Sequence, residues 1–157
     1  MEHIWAPWRV EYIRGKKPDG CILCGLCQGK DDSENLILYR GKLNFVIMNK
    51  YPYNPGHLMV APFRHIATPE DFTLDELTEH YDIVRKCIKA LRDAFNPQGF
   101  NLGTNLGKVA GAGIDDHVHT HIVPRWQGDT NFMPAIAETK VISESMEAIY
   151  KRLQDKF

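Results

Sequence analysis

His117, His119 and His121 alternate with Val118, Thr120 and Ile122 in the run DHVHTHIVP. Side chains of a β-strand repeat every two residues, so an extended chain puts the three imidazoles on one face, over about 14 Å, and the intervening side chains on the other. Three titratable rings in register suit either a metal or a phosphate. The preceding loop, GKVAGAGIDD, supplies Gly107, Gly111 and Gly113, where backbone amides can cradle phosphate oxygens, and Pro124-Arg125 follows the strand. The combination points to phosphate. Taken alone, GKVAGAG reads as a turn, because it lacks the Lys-Ser/Thr of a P-loop and does not fit the dinucleotide fingerprint.

A neutral imidazole, with an ordinary pKa of about 6.5, is a competent nucleophile that its neighbours can tune. His119, the middle ring, is the natural attacker. One neighbour can fix its tautomer while the other donates hydrogen bonds to phosphate oxygens as negative charge builds up.

The rest of the chain must frame that strand. From Leu36 onward come short apolar, β-branched and aromatic runs: LILYR, LNFVIMNK and, after the NPG turn at Asn54–Gly56, HLMVAP. Two more strand candidates follow, FNLGTNL from Phe100 and the histidine run from Asp116. Between the two groups, Leu74, Leu77, Tyr81, Val84, Ile88, Leu91 and Phe95 recur at spacings of three and four, an apolar helical stripe. Thr73 with Glu76 forms a capping box at its start, and Asn96-Pro97 ends it. A second helix closes the chain, with Met146, Ile149, Tyr150, Leu153 and Phe157 on one side. This order predicts an α+β fold: about five strands in a mainly antiparallel sheet, one long helix and one C-terminal helix. We divide the chain into an N-terminal extension, 1–35, carrying cysteines among many turn formers, and one domain, 36–157.

With 43% apolar and 25% charged residues and a formal net charge of -1, the composition is that of a soluble globular chain. A surface so balanced argues against a nucleic-acid partner. No apolar run approaches the roughly 20 residues that span a bilayer, and the opening MEHIWAPWRVEYIRG has no signal-peptide core, so the chain is read as cytoplasmic, without a membrane partner.

Cys21, Cys24 and Cys27 fall within seven residues, while Cys87 stands alone in the helical pattern and reads as core. In a reducing compartment such clustering suggests a metal more than disulfides. Cys21-Ile-Leu-Cys24 has the gap of a zinc knuckle, and no βαβ pattern surrounds it to favour a thioredoxin-like reading. His80, on the helix, is expected to face solvent, and His57, in the NPGH turn, to be a buried hydrogen-bonding residue. His3 carries no signal, and Trp5 and Trp8 read as packing.

HVHTHIVPRW resembles the signature of the histidine triad superfamily, and LNFVIMNKYPYNPGHLMVAPFRH is similar to that superfamily's nucleotide-binding strand pair. IWAPWRVEYI and PRWQGDTNFM resemble a narrower branch, the bacterial proteins related to diadenosine tetraphosphate phosphorylase. The resemblance implies a nucleotide substrate, adenine-bearing, attacked at its α-phosphate by His119, with His121 contacting the phosphate and His117 completing the triad. It implies that Asn49 holds the ribose, that Phe45 and Met48 flank the base, that Asn105, Gly111 and Gly113 contact phosphate, and that Trp126 lies near the nucleotide. Read from the residues alone, Asn49 equally caps a turn, and Phe45 and Met48 are equally core. For a chain with this CxxC the resemblance implies a structural zinc held by Cys21, Cys24, His65 and His117, with Cys27 open as a replacement ligand. A homodimer is implied as well.

Three function classes follow. The chain is a phosphorylase if phosphate is the second nucleophile and a hydrolase if water is. It is a nucleotide-binding module if no chemistry occurs, or a metalloenzyme if the histidine strand itself holds a catalytic metal. The role of residues 129–142 is not legible.

Overall fold

The structure, a computed structural model, describes residues 20–129 and 142–157. His3, Trp5, Trp8 and the whole of IWAPWRVEYI lie outside the described residues, as does 130–141. Along the chain come α1 (Ile22–Gln28), β1 (Ile37–Arg40), β2 (Asn44–Met48), β3 (Leu58–Pro62), α2 (Leu74–Phe95), β4 (Gly99–Gly103), β5 (Thr120–Arg125) and α3 (Met146–Gln154). The five strands form one sheet in the order β1-β2-β3-β5-β4, every neighbouring pair antiparallel. The expected α+β architecture is the one found.

Alternation sorts the strand residues into two layers. Val46, Met48, Leu58, Val60 and Ile122 face α2 and α3, where Ile83, Val84, Cys87, Leu91, Ile149 and Leu153 complete the main core. Phe45, Ile47, Met59 and Ala61 face the opposite way and are covered by Leu23 and Cys27 of α1. The segment around the cysteines, expected to be irregular, thus contains a short helix. Leu23 and Cys27 have a sheet face to cover, and packing supplies the order that seven residues lack alone.

Gly56, at φ 77°, completes the turn into β3; a Cβ there would sit 3.0 Å from Leu91 Cδ2, so only glycine lets this turn close over α2.

Two details depart from the sequence reading. The ladder of β5 begins at Thr120 rather than Asp116. The register pairs Leu58 with Ile122, Met59 with His121 and Val60 with Thr120, so the next residues of β5 run out opposite Pro62, which has no N–H to give. His117 and His119 therefore lie in the extended lead-in, and the carbonyl of Pro62 accepts from the His117 ring, at 2.9 Å. The second departure is on α2. Leu74, Leu77 and Tyr81 are exposed, while Glu76 and His80 are buried in their place. The buried face is rotated at the N-terminal end because polar partners outcompete the apolar stripe there: Glu76 binds Arg64 at 2.7 Å, and His80 lies 2.9 Å from Asn44 Oδ1. The expectation that His80 faces solvent is thereby corrected.

The capping box at Thr73 and Glu76 forms as expected. Hydrogen bonds from Arg64, and then those from Thr73, pull the Glu76 carboxyl down to about 2. A depressed carboxyl contributes stability that is fully present above its unfolded value of 4.5 and lost as pH falls through its folded one. Chemical denaturation should therefore show stability declining from about pH 4.5 to pH 2, with Glu76→Gln flattening that decline and costing about 1 to 3 kcal/mol at neutral pH.

Candidate active site and metal centre

His119 is 5% exposed and lies on the α1 side of the sheet, the face that Met59 and His121 share. Its Nδ1 is 2.8 Å from the carbonyl oxygen of His117. A carbonyl only accepts, so Nδ1 carries the hydrogen and Nε2 is left with its lone pair. Burial holds the His119 pKa below the ordinary imidazole value, keeping the ring in the neutral, nucleophilic form.

The next ring is set in the complementary way. The backbone N–H of Tyr53 donates to His57 Nδ1 at 3.1 Å, which leaves His57 Nε2 as the protonated nitrogen. That nitrogen lies 2.9 Å from His121 Nδ1, which must accept, so the His121 hydrogen resides on Nε2. The rings of His119 and His121 meet edge to face with centroids 4.8 Å apart. A lone pair and an N–H donor thus stand side by side. The turn bearing His57 is fixed to β5 by Asn54, whose Nδ2 donates to Pro124 O at 2.9 Å and to Asp129 Oδ2 at 2.7 Å. Asp129 in turn holds Arg125 Nε at 2.6 Å.

Beyond His119, the His117 ring leaves this pair. Its Nε2 donates to Pro62 O, so its Nδ1 lone pair points at Cys21 Sγ, 3.2 Å away, and Cys24 Sγ, 3.4 Å away. His65 Nδ1 lies 3.4 Å from Cys24 Sγ, and its Nε2 is 3.9 Å from Asp116 Oδ2. The four ligand atoms of Cys21, Cys24, His65 and His117 lie within 4.8 Å of one another, and this cluster could hold a metal ion. Burial, and then Cys21, push the Cys24 thiol up to about 11, so a thiolate at Cys24 is favoured only with a cation beside it. Cys27 is not in the cluster; its Sγ is 3.3 Å from Cys24 O and packs beneath α1.

Residues 30–128 match the family described as the HIT domain. The chain belongs to the HIT family. This HIT chain is 39% identical over 152 residues to AP-4-A phosphorylase of Mycobacterium tuberculosis, a match taking in 92% of this chain and 78% of that protein. It is 37% identical over 93 residues to the asymmetrical bis(5'-nucleosyl)-tetraphosphatase of Schizosaccharomyces pombe, covering 59% of this chain and 50% of that one. Among solved structures, a Zn-bound histidine triad family protein from Mycobacterium smegmatis superposes with a TM-score of 0.70 at 22% identity, over 87% of this chain and 92% of that chain. That likeness bears on the fold alone.

Within the HIT domain, the other residues singled out from sequence scatter. Phe45 is fully buried, stacked on Phe63 at 5.2 Å under α1, and Met48 is buried on the helix side of the sheet, away from His119. Alternation along β2 puts the two on opposite faces of the sheet. Asn49 is beside the site: its Oδ1 accepts from Tyr51 N at 2.9 Å and its Nδ2 is 3.4 Å from His57 Nδ1. Gly111 adopts φ 85° at the end of a single helical turn, Lys108–Ala110, and Asn105 and Trp126 are half-buried. His57 is buried and hydrogen-bonded, as expected, but its coupling to His121 was not foreseen; only the NPGH turn hinted at it. The Asp129 clamp left no signal in the sequence.

Nitrogen-resolved NMR of the imidazoles at neutral pH should find hydrogen on Nδ1 of His119 and on Nε2 of His57 and His121. A single shared tautomer for all three rings would contradict the arrangement of donors and acceptors described above.

Proposed function

We propose that this chain cleaves dinucleoside polyphosphates through a covalent nucleotidyl-His119 and passes the nucleotide to inorganic phosphate, as a phosphorylase. The observation that carries this reading is the His119 Nδ1 hydrogen bond to His117 O at 2.8 Å, because it leaves Nε2 unprotonated beside the His121 donor.

The Nε2 lone pair attacks the α-phosphorus, an N–P bond forms, and the P–O bond to the rest of the polyphosphate breaks. His121 donates its Nε2 hydrogen bond to a non-bridging oxygen as charge builds there. The His117 carbonyl keeps the Nδ1 hydrogen and stabilises the positive charge of the nucleotidyl-imidazolium. An oxygen of inorganic phosphate then attacks the same phosphorus and the N–P bond breaks, so diadenosine tetraphosphate and phosphate give ATP and ADP. With water as acceptor the products are ATP and AMP. On the strength of the family resemblance we assign the ribose to Asn49, the phosphates to Asn105 and the amides at Gly111 and Gly113, and the neighbourhood of the nucleotide to Trp126. The 39% identity to an AP-4-A phosphorylase over most of the chain favours phosphorolysis.

We assign zinc to Cys21, Cys24, His65 and His117. Tetrahedral zinc, about 2.3 Å from sulfur and 2.0 Å from nitrogen, separates such ligands by roughly 3.5 Å; the Sγ to Nδ1 distances here are 3.2 to 3.4 Å. Bound there, the ion supplies a closed structural site and no open coordination position. His119 and His121 turn to other partners, which disfavours a catalytic metal on the histidine strand. A homodimer is supported by the edge position of β4, where Leu102 is exposed, and by the exposed Leu74, Leu77 and Tyr81 on α2. No helix among the described residues is long and apolar enough to cross a membrane, and we infer the cytoplasm as the compartment.

Incubation with diadenosine tetraphosphate should give ADP and ATP only when phosphate is present. Product AMP without phosphate would identify a hydrolase, and no turnover would favour the binding module. His119→Ala should lower kcat by at least about a thousandfold, as loss of the attacking group does elsewhere, and undiminished turnover would refute the nucleophile. Activity should rise with pH through a value below the ordinary imidazole range and then level off, since burial depresses the His119 pKa and the neutral ring attacks.

Metal analysis of the purified protein should find one zinc per chain. Cys24→Ser should lose it and melt at lower temperature, because the ion ties α1 to the lead-in of β5; full retention of zinc by this variant would refute the ligand set.

A further inference from the structure

Thr120 stands between His119 and His121 in the chain but faces the other way, into the helix-side layer. There it meets His80, 2% exposed, with Thr120 Oγ1 2.8 Å from His80 Nε2. The hydrogen bonds around this pair run in one direction only. The Glu79 carboxylate accepts the backbone N–H groups of Lys42, Leu43 and Asn44, at 2.7, 2.7 and 2.8 Å. It also accepts from Asn44 Nδ2 at 3.0 Å, while the same Nδ2 donates to Glu76 O at 3.1 Å. The other end of that amide, Asn44 Oδ1, faces His80 Nδ1 at 2.9 Å, so His80 carries its hydrogen on Nδ1. His80 Nε2 must then accept from the Thr120 hydroxyl. Thr120 Oγ1 in turn accepts from the Thr104 hydroxyl, 3.1 Å away and next to Asn105.

The chain of donors thus links the β1–β2 hairpin, α2, β5 and the segment leaving β4. Burial pushes the His80 pKa down to about 4, so the ring stays a neutral acceptor near neutral pH. A leucine would fill the same space without the desolvation that a buried imidazole costs. What an apolar side chain would lack is a directional hold on one hydroxyl.

We propose that His80 is a positioning residue for nucleotidyl transfer: by holding Thr120 it fixes the rotation of the strand between His119 and His121, and through Thr104 the approach to Asn105. The alternation that puts Thr120 on the hidden face makes it the one side chain through which α2 can grip the backbone between the two reacting rings. This inference rests on the proposed role of His119.

The test uses Thr120→Val, which keeps shape and strand preference but removes the hydroxyl, with Thr120→Ser, His80→Leu and the double variant His80→Leu/Thr120→Val. Thr120→Val should keep its KM and melt within a few degrees of wild type, while kcat falls by between about tenfold and the roughly hundredfold that a 1 Å misplacement can cost. Thr120→Ser should recover most of the loss, and the double variant should be no slower than the slower single one. Imidazole NMR is read alongside, since it needs no substrate: Thr120→Val should show His119 with its hydrogen shared between Nδ1 and Nε2. Wild-type kcat and unchanged imidazole signals in Thr120→Val, equal loss in Thr120→Ser, or additive losses in the double variant would overturn the proposal. Should wild type not turn over diadenosine tetraphosphate, the functional reading fails, and the NMR comparison alone decides the role of His80.

Discussion

The carbonyl of His117 is the point on which the chemistry proposed for this protein depends. It accepts the Nδ1 hydrogen of His119 and so decides which nitrogen of that ring is free to attack. A carbonyl can do this only if its own peptide is held still, and His117 is held at both ring nitrogens: Nε2 donates to Pro62 O, and Nδ1 faces the paired cysteines. Pro62 is the origin of this arrangement. Lacking an N–H, it cannot extend the ladder to the lead-in of β5, and the carbonyl left over takes a side chain where a strand would have offered an amide. One residue thereby joins the Cys/His cluster to His119, the proposed nucleophile, its ring serving the first and its backbone the second.

The sheet divides the remaining work by face. On the α1 side, His119 and His121 sit among rings whose partners fix their tautomers. On the helix side, the same strand presents Thr120 and Ile122, one gripped by His80 and the other sunk in the main core. Apolar burial anchors β5 at Ile122. Two residues away on the same face, the Thr120 hydrogen bond to His80 adds a contact with a fixed direction. Buried polar groups contribute little net stability when satisfied, yet they specify geometry.

Much of the fold was legible because its signals are periodic. Alternation exposed the strands, the spacing of apolar residues exposed α2 and α3, and Thr73 with Glu76 marked the start of α2. The CxxC spacing alone pointed to a metal, and resemblance joined it to His65 and His117, the latter 96 residues from Cys21. The misreadings share a cause. Leu74, Leu77 and Tyr81 fit an apolar stripe better than Glu76 and His80 do, and nothing local says that Arg64 and Asn44 will meet those polar side chains and draw them inward. The short helix α1 was missed because its apolar content is too small to declare a period; it becomes helical by covering Ile37, Phe45 and Met59.

Three identical residues in one extended run acquire three different settings, and none of the difference is written in their identity. Free in water, each imidazole would distribute its hydrogen between two nitrogens with little preference. Here His117 has a carbonyl at Nε2 and so turns a lone pair on Nδ1 toward the thiols. His119 has a carbonyl at Nδ1 and so frees Nε2. His121 accepts at Nδ1 from His57 and so keeps a donor on Nε2. Ligand, nucleophile and donor, the roles proposed for the three rings, follow from which nitrogen each is obliged to protonate. That obligation is imposed by the carbonyls of Pro62 and His117 and by the Tyr53 amide acting through His57.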